Sequence, residues 1–101
     1  MTVEVLYVPG CPNYQPTMER VATVLASEFV LERAEGVAVN TEAQAKSLGF
    51  PGSPTVRVNG KDIEPAKTIV PALACRIYAN GSGVPPEHLL RTAILRAKLE
   101  E

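Results

Sequence analysis

The chain changes its hydrophobic rhythm several times, and each rhythm predicts an element. Val3 to Val8 form a short run rich in β-branched residues that Pro9-Gly10 closes, which predicts a strand. Met18, Val21, Ala22, Leu25 and Phe29 then recur at helical spacing and predict an amphipathic helix over about 14–28. Residues 29–39 hold a second strand, whose pattern is broken by Glu32, Arg33, Glu35 and Gly36. Thr41-Glu42-Ala43-Gln44 fits a capping box, with Thr41 as N-cap and Gln44 reaching back. The short helix that follows should stop at Gly49.

The second half reads as a hairpin followed by a helix. Thr55–Val58 alternates polar and apolar residues, Asn59-Gly60 is a two-residue turn signal, and Lys61–Glu64 is the return strand. Over 65–85 the pattern selects no single element. Ala72–Tyr78 fits either a helical turn or an extra edge strand, and "ANGSGVPP" is a loop. Pro86 suits the first position of a helix. Leu89, Leu90, Ala93, Ile94 and Ala97 carry that helix over about 86–99. The order β-α-β-α-β-β-α implies an α/β sandwich around a four-stranded mixed sheet, parallel at first and closed by an antiparallel pair.

Composition narrows the picture. A length of 101 residues argues for one domain, 1–101, large enough to bury a core without disulfide staples. Hydrophobic residues make up 46 %, which excludes a disordered chain. The net charge of −1 and the scattered Lys and Arg leave no footprint for nucleic acid or an acidic membrane. No stretch approaches the roughly 20 apolar residues of a membrane span. The N-terminus shows neither a basic region nor a small-residue cleavage site, so the expected location is cytoplasmic. There, two cysteines serve more often as free, catalytic or metal-binding groups than as a structural bridge. Two thiols and a single histidine, His88, fall short of a four-ligand zinc set. No cofactor is implied.

Candidate chemistry therefore centres on Cys11, which follows a strand and precedes a helix. Thiol reactions need the thiolate, and a helix N-terminus favours that form. If Cys11 were the N-cap, Pro12 would fill the first helical position without cost. Pro16 would then stand fifth and clash with the carbonyl four residues back. Either the first turn is distorted, or the regular helix begins near Asn13 and Pro16 falls among first-turn positions that lack an intrahelical partner. Cys75 lies in the apolar "ALACRIYA". It fits either a buried small hydrophobe or a partner for Cys11, in a disulfide or as a second soft ligand for a thiophilic metal. Tyr14 fits a hydrogen-bond partner for a thiolate or a bound peptide, or a shield over the thiol. Tyr7 reads as core, His88 as surface, and Arg57 and Arg76 as surface residues with the capacity to hold an anion.

Two short motifs carry a family resemblance. Cys11-Pro12-Asn13-Tyr14 after the first strand and Ser53-Pro54-Thr55 at the opening of the third resemble the thioredoxin fold, over nearly the whole chain except about 65–84. More closely, the "GCPN" start, the "FPGSPTVRVNG" centre and the "CRIY" segment resemble a group of small bacterial thioredoxin-like proteins. The resemblance implies that Pro54 is a cis-proline facing the reactive cysteine, and that the backbone of Ser53 pairs with an incoming extended peptide. Tyr14 departs from the family pattern, since it stands where the second cysteine of the dithiol motif would be. That second thiol resolves the mixed disulfide. Resolution would then fall to a small thiol or to Cys75.

The expected function is thiol–disulfide exchange through Cys11, as a monothiol or with Cys75 as a distant resolving thiol. Pro12, Tyr14, Ser53, Pro54 and Thr55 form the surface that receives the partner, a protein or small-molecule thiol or disulfide. The alternative is a binding module of the same fold that holds a peptide or a thiophilic metal without turnover.

Overall fold

The computed structural model describes residues 1–65 and 71–100. Its elements are β1 (Val3–Tyr7), α1 (Tyr14–Ser27), β2 (Glu35–Ala38), α2 (Glu42–Leu48), β3 (Thr55–Val58), β4 (Lys61–Asp62) and α3 (Glu87–Glu100). The sheet runs β2-β1-β3-β4, with β1 parallel to β2 and antiparallel to β3, and β3 antiparallel to β4. The architecture is α/β, with three helices around a four-stranded mixed sheet.

Strand alternation divides the core between two faces. Val3 and Val5 stand opposite Val58 and Val56. Together they meet Val21, Val24 and Leu25 of α1 and Leu90, Ile94 and Ala97 of α3. Leu6 takes the opposite face and packs with Val39, Ala45 and Phe50 around α2. Of the predicted stripes, Val21 and Leu25 of α1 and Leu90, Ile94 and Ala97 of α3 are buried, and Met18, Leu89 and Ala93 are half-buried, but Ala22 is exposed. Phe29 is a second exception. It lies beyond the end of α1 at φ 59° and is 90 % exposed, so the stripe ends at Leu25. A left-handed turn closes the helix there, with the Val30 N–H donating to the Leu25 carbonyl.

The short elements follow their local chemistry. Thr41 and Gln44 form the reciprocal capping box, and Gly49 ends α2 in the left-handed region. Asn59 and Gly60 both have positive φ, 52° and 79°, as the tight hairpin requires. The return strand is shorter than Lys61–Glu64. β4 stops at Asp62, whose carboxylate turns back to accept from the Glu64 N–H at 2.9 Å. The last helix begins at Glu87, and Pro86 contributes its carbonyl to the Leu89 and Leu90 N–H groups.

Candidate functional site

Cys11 sits in a turn between β1 and α1. Its N–H donates to the Val8 carbonyl at 3.0 Å, and its own carbonyl accepts from Tyr14 at 3.3 Å. The N-cap of α1 is Asn13, without a side-chain cap, and Pro16 occupies the third helical position. The first turn is therefore regular, and Cys11 lies two residues outside it rather than at its cap. Cys11 is half-buried, and Pro12 beside it is exposed.

The third strand opens on the other half of the site. The Ser53–Pro54 peptide bond is cis. Ser53, Pro54 and Thr55 are all buried. The Ser53 hydroxyl accepts from the Val8 N–H at 3.0 Å, and the next-door Val8 carbonyl holds the Cys11 N–H. Thr55 Oγ1 donates to the Gly52 carbonyl at 2.6 Å. The turn that carries Cys11 and the start of β3 are thus tied through one residue, Val8.

Residues 72–78 form neither a helical turn nor a regular edge strand. They lie extended along residues 50–54, joined by a single parallel bridge between Ser53 and Cys75. The Ala72 N–H donates to the Phe50 carbonyl at 3.1 Å. The Ser53 N–H donates to the Ala74 carbonyl at 2.7 Å, and the Arg76 N–H to the Ser53 carbonyl at 2.8 Å. Close approach requires a glycine at 52. Its φ is 144°, and a Cβ there would meet the Ala74 carbonyl at 3.2 Å and the Arg76 Cβ at 3.1 Å.

Side chains anchor this strap from below. The Arg76 guanidinium grips both Asp62 oxygens, at 2.8 and 3.1 Å, and donates to Thr55 Oγ1 at 3.1 Å and to the Glu64 carbonyl at 2.5 Å. It also stacks 4.4 Å from the ring centre of Tyr78. The buried Tyr78 hydroxyl donates to the Pro54 carbonyl at 2.7 Å. Burial raises the Tyr78 phenol far above its ordinary value, against the opposing pull of the Arg76 cation. Arg76 is thus a buried structural residue whose anion is internal, and the surface role expected for it does not hold.

Cys75 is exposed, which overturns its reading as a buried small hydrophobe. The reason is alternation within the strap. Arg76 and Tyr78 turn inward at 8 % and 1 % exposure, and Ile77 lies outward at 65 %. Neither cysteine is disulfide-bonded. Tyr14 packs against the first two strands. Its ring stacks on Tyr7 with centroids 3.7 Å apart and lies over Gly36 of β2. Burial, with a smaller contribution from Tyr7, raises the Tyr14 phenol above 10.0. Tyr7 is consequently half-buried under that ring rather than fully in the core.

The remaining candidates resolve simply. His88 is exposed. The Arg57 guanidinium donates to the Leu48 carbonyl at 2.7 Å and to Gly49 at 3.3 Å, so it serves the C-terminus of α2. Among the described residues, no three His, Cys, Asp or Glu side chains converge as metal ligands, and no helix is long and apolar enough to cross a membrane. A cavity of about 840 Å³ lies along β4 and α3, lined in part by Arg57, Ile63, Leu89 and Arg96, and neither thiol borders it.

What the sequence left unassigned was the Arg76–Asp62–Tyr78 anchor. Its one readable signal is the alternation of Arg76 and Tyr78 with Cys75 and Ile77. Comparison with family models, curated proteins and solved structures returned no match.

Proposed function

We propose that the chain is a thioredoxin-like thiol–disulfide oxidoreductase that acts through Cys11, with Cys75 as its resolving thiol or with an external small thiol in that role. The observation that carries the reading is the link between the two cysteines. The Cys11 N–H is held by Val8, Val8 donates to Ser53, and Ser53 pairs with the strap residue Cys75. One hydrogen-bonded unit thus carries a half-buried thiol, the nucleophile of this reading, and an exposed thiol, its resolving partner.

The steps balance as follows. The Cys11 thiolate attacks one sulfur of a disulfide R–S–S–R, forming Cys11–S–S–R and releasing R–S⁻. The Cys75 thiolate then attacks the Cys11 sulfur, forming a Cys11–Cys75 disulfide and releasing the second R–S⁻. Two protein thiols are oxidised and one external disulfide is reduced. Without Cys75, a second external thiol performs the release and Cys11 works alone. Two external thiols R′–SH return the pair to its starting state by two further exchanges, leaving R′–S–S–R′.

Peptide mapping by mass spectrometry tests this after treatment with a low-molecular-weight disulfide. Either a Cys11–Cys75 disulfide or an R–S adduct on Cys11 is expected. In Cys75→Ala, the adduct on Cys11 should accumulate if Cys75 resolves it. An adduct confined to Cys75, or exchange that persists in Cys11→Ser, would remove Cys11 as the nucleophile.

A further inference from the structure

We infer that the strap 72–78 occupies, within the same chain, the main-chain edge at Ser53, and so restricts Cys11 to low-molecular-weight disulfides over extended peptides. This inference rests on the exchange reading above and specifies its substrate class.

An extended peptide docks on an exposed strand edge by pairing with unpaired main-chain N–H and C=O groups. Next to Pro54 those groups belong to Ser53, and both are already bonded, to the Ala74 carbonyl and to the Arg76 N–H. Cys75 stands opposite Ser53, where the central residue of a docked peptide would lie. The occupancy is built in at several points. Gly52 allows the close approach. The Arg76 guanidinium binds Asp62, Thr55 and the Glu64 carbonyl, and the Tyr78 hydroxyl binds the Pro54 carbonyl. A peptide must displace all of these to reach Ser53. A small disulfide needs no main-chain pairing and must reach only the sulfur of Cys11, which is half-buried beside the exposed Pro12.

The test compares two disulfides with the same leaving group, on the full reduced chain. One is hydroxyethyl disulfide. The other is an unstructured peptide whose single central cysteine is capped with mercaptoethanol. Adduct or disulfide formation at Cys11 is timed by mass spectrometry, and each rate is divided by the rate of a free thiol with the same reagent. The normalised peptide rate should be about tenfold lower than the normalised small-disulfide rate, the factor that one blocked docking contact supplies. In Tyr78→Phe, which removes a single hydroxyl, and in Arg76→Gln, that gap should narrow at least about threefold while the small-disulfide rate stays within about twofold.

Equal normalised rates in the unaltered chain would overturn the inference and leave the exchange reading standing. So would a gap that Tyr78→Phe leaves unchanged, since that variant keeps the rest of the anchor if Arg76→Gln fails to fold. A Cys11 that reacts with neither reagent faster than a free thiol would remove the exchange reading, and the restriction with it.

Discussion

The centre of the sheet and the strap beside its β4 end are held by different physics. Between β1, β3, α1 and α3 the contacts are apolar, and Val5, Val21, Val24, Val56, Leu90 and Ile94 are all fully enclosed. Such burial is non-directional and scales with the area removed from water. Beside β3 and β4 the strap is held by a few directed polar contacts, centred on Arg76, Asp62 and the Tyr78 hydroxyl. The apolar centre sets whether the chain folds. The polar strap sets where Cys75 lies and what reaches Ser53. A contact set of the second kind can be altered one bond at a time.

Several experiments would break or sharpen that contrast. The largest effect is expected in the core. Ile94→Ala should destabilise the chain by about 2–5 kcal/mol, read as a lower denaturant midpoint at an unchanged slope. Alkylation of Cys75 in the native state should not change. A simultaneous rise in Cys75 labelling would show that the centre and the strap are not separable.

Arg76→Gln comes next, at about 2–3 kcal/mol, because it leaves the Asp62 carboxylate without its bidentate partner while a 15 % exposed Asp62 keeps some access to water. Here the signature reverses. Cys75 and the Ser53 and Arg76 amides should become more open to labelling and hydrogen exchange, while the amides of β1 stay protected. Loss of protection throughout the sheet would make Arg76 part of the global core instead.

A pH dependence follows from Tyr78. Its folded phenol titrates above the ordinary 10.0 because of burial. The unfolded chain therefore loses that proton first as pH rises. The contribution of the buried phenol is complete below pH 10 and is lost progressively above it. Chemical denaturation across this range should show falling stability, and Tyr78→Phe should flatten the fall. An unflattened fall would assign it to another group.

The smallest effect is at the cap of α2. Thr41→Ala should cost about 1 kcal/mol, since it removes only the hydroxyl that accepts from the Gln44 N–H. It should move neither thiol. A change in Cys11 or Cys75 reactivity would mean that α2 is coupled to the site.

Much of the molecule was legible because its determinants are local. The Asn59-Gly60 turn, the Thr41–Gln44 box, the stop at Gly49 and the stripes of α1 and α3 depend on residues within a few positions of one another, and the structure follows them. The Pro16 clash leaves a distorted first turn and a helix starting near Asn13 both open, and the structure takes the second. Element ends were less legible. Phe29 belongs to the apolar count of α1 but lies beyond its end, and β4 is cut short when Asp62 turns towards Arg76. The apolar neighbours of Cys75 fit a buried residue as well as a partner for Cys11, and the structure exposes it. The buried positions of that segment are Arg76 and Tyr78, and an arginine is enclosed only when a distant carboxylate meets it.

The sequence by itself determined the order of strands and helices, the Asn59-Gly60 turn of the hairpin and the place of Cys11 after β1. These rest on backbone sterics, capping and hydrophobic periodicity, all short in range. Only the tertiary structure decided that 72–78 lies along Ser53, that Cys75 is exposed opposite it, and that Tyr14 stacks on Tyr7 over Gly36. Arg76 meets Asp62 across 14 positions, and Tyr78 meets Pro54 across 24. Pairings of that separation leave no periodic trace, because they form only where the packed elements bring donor and acceptor together.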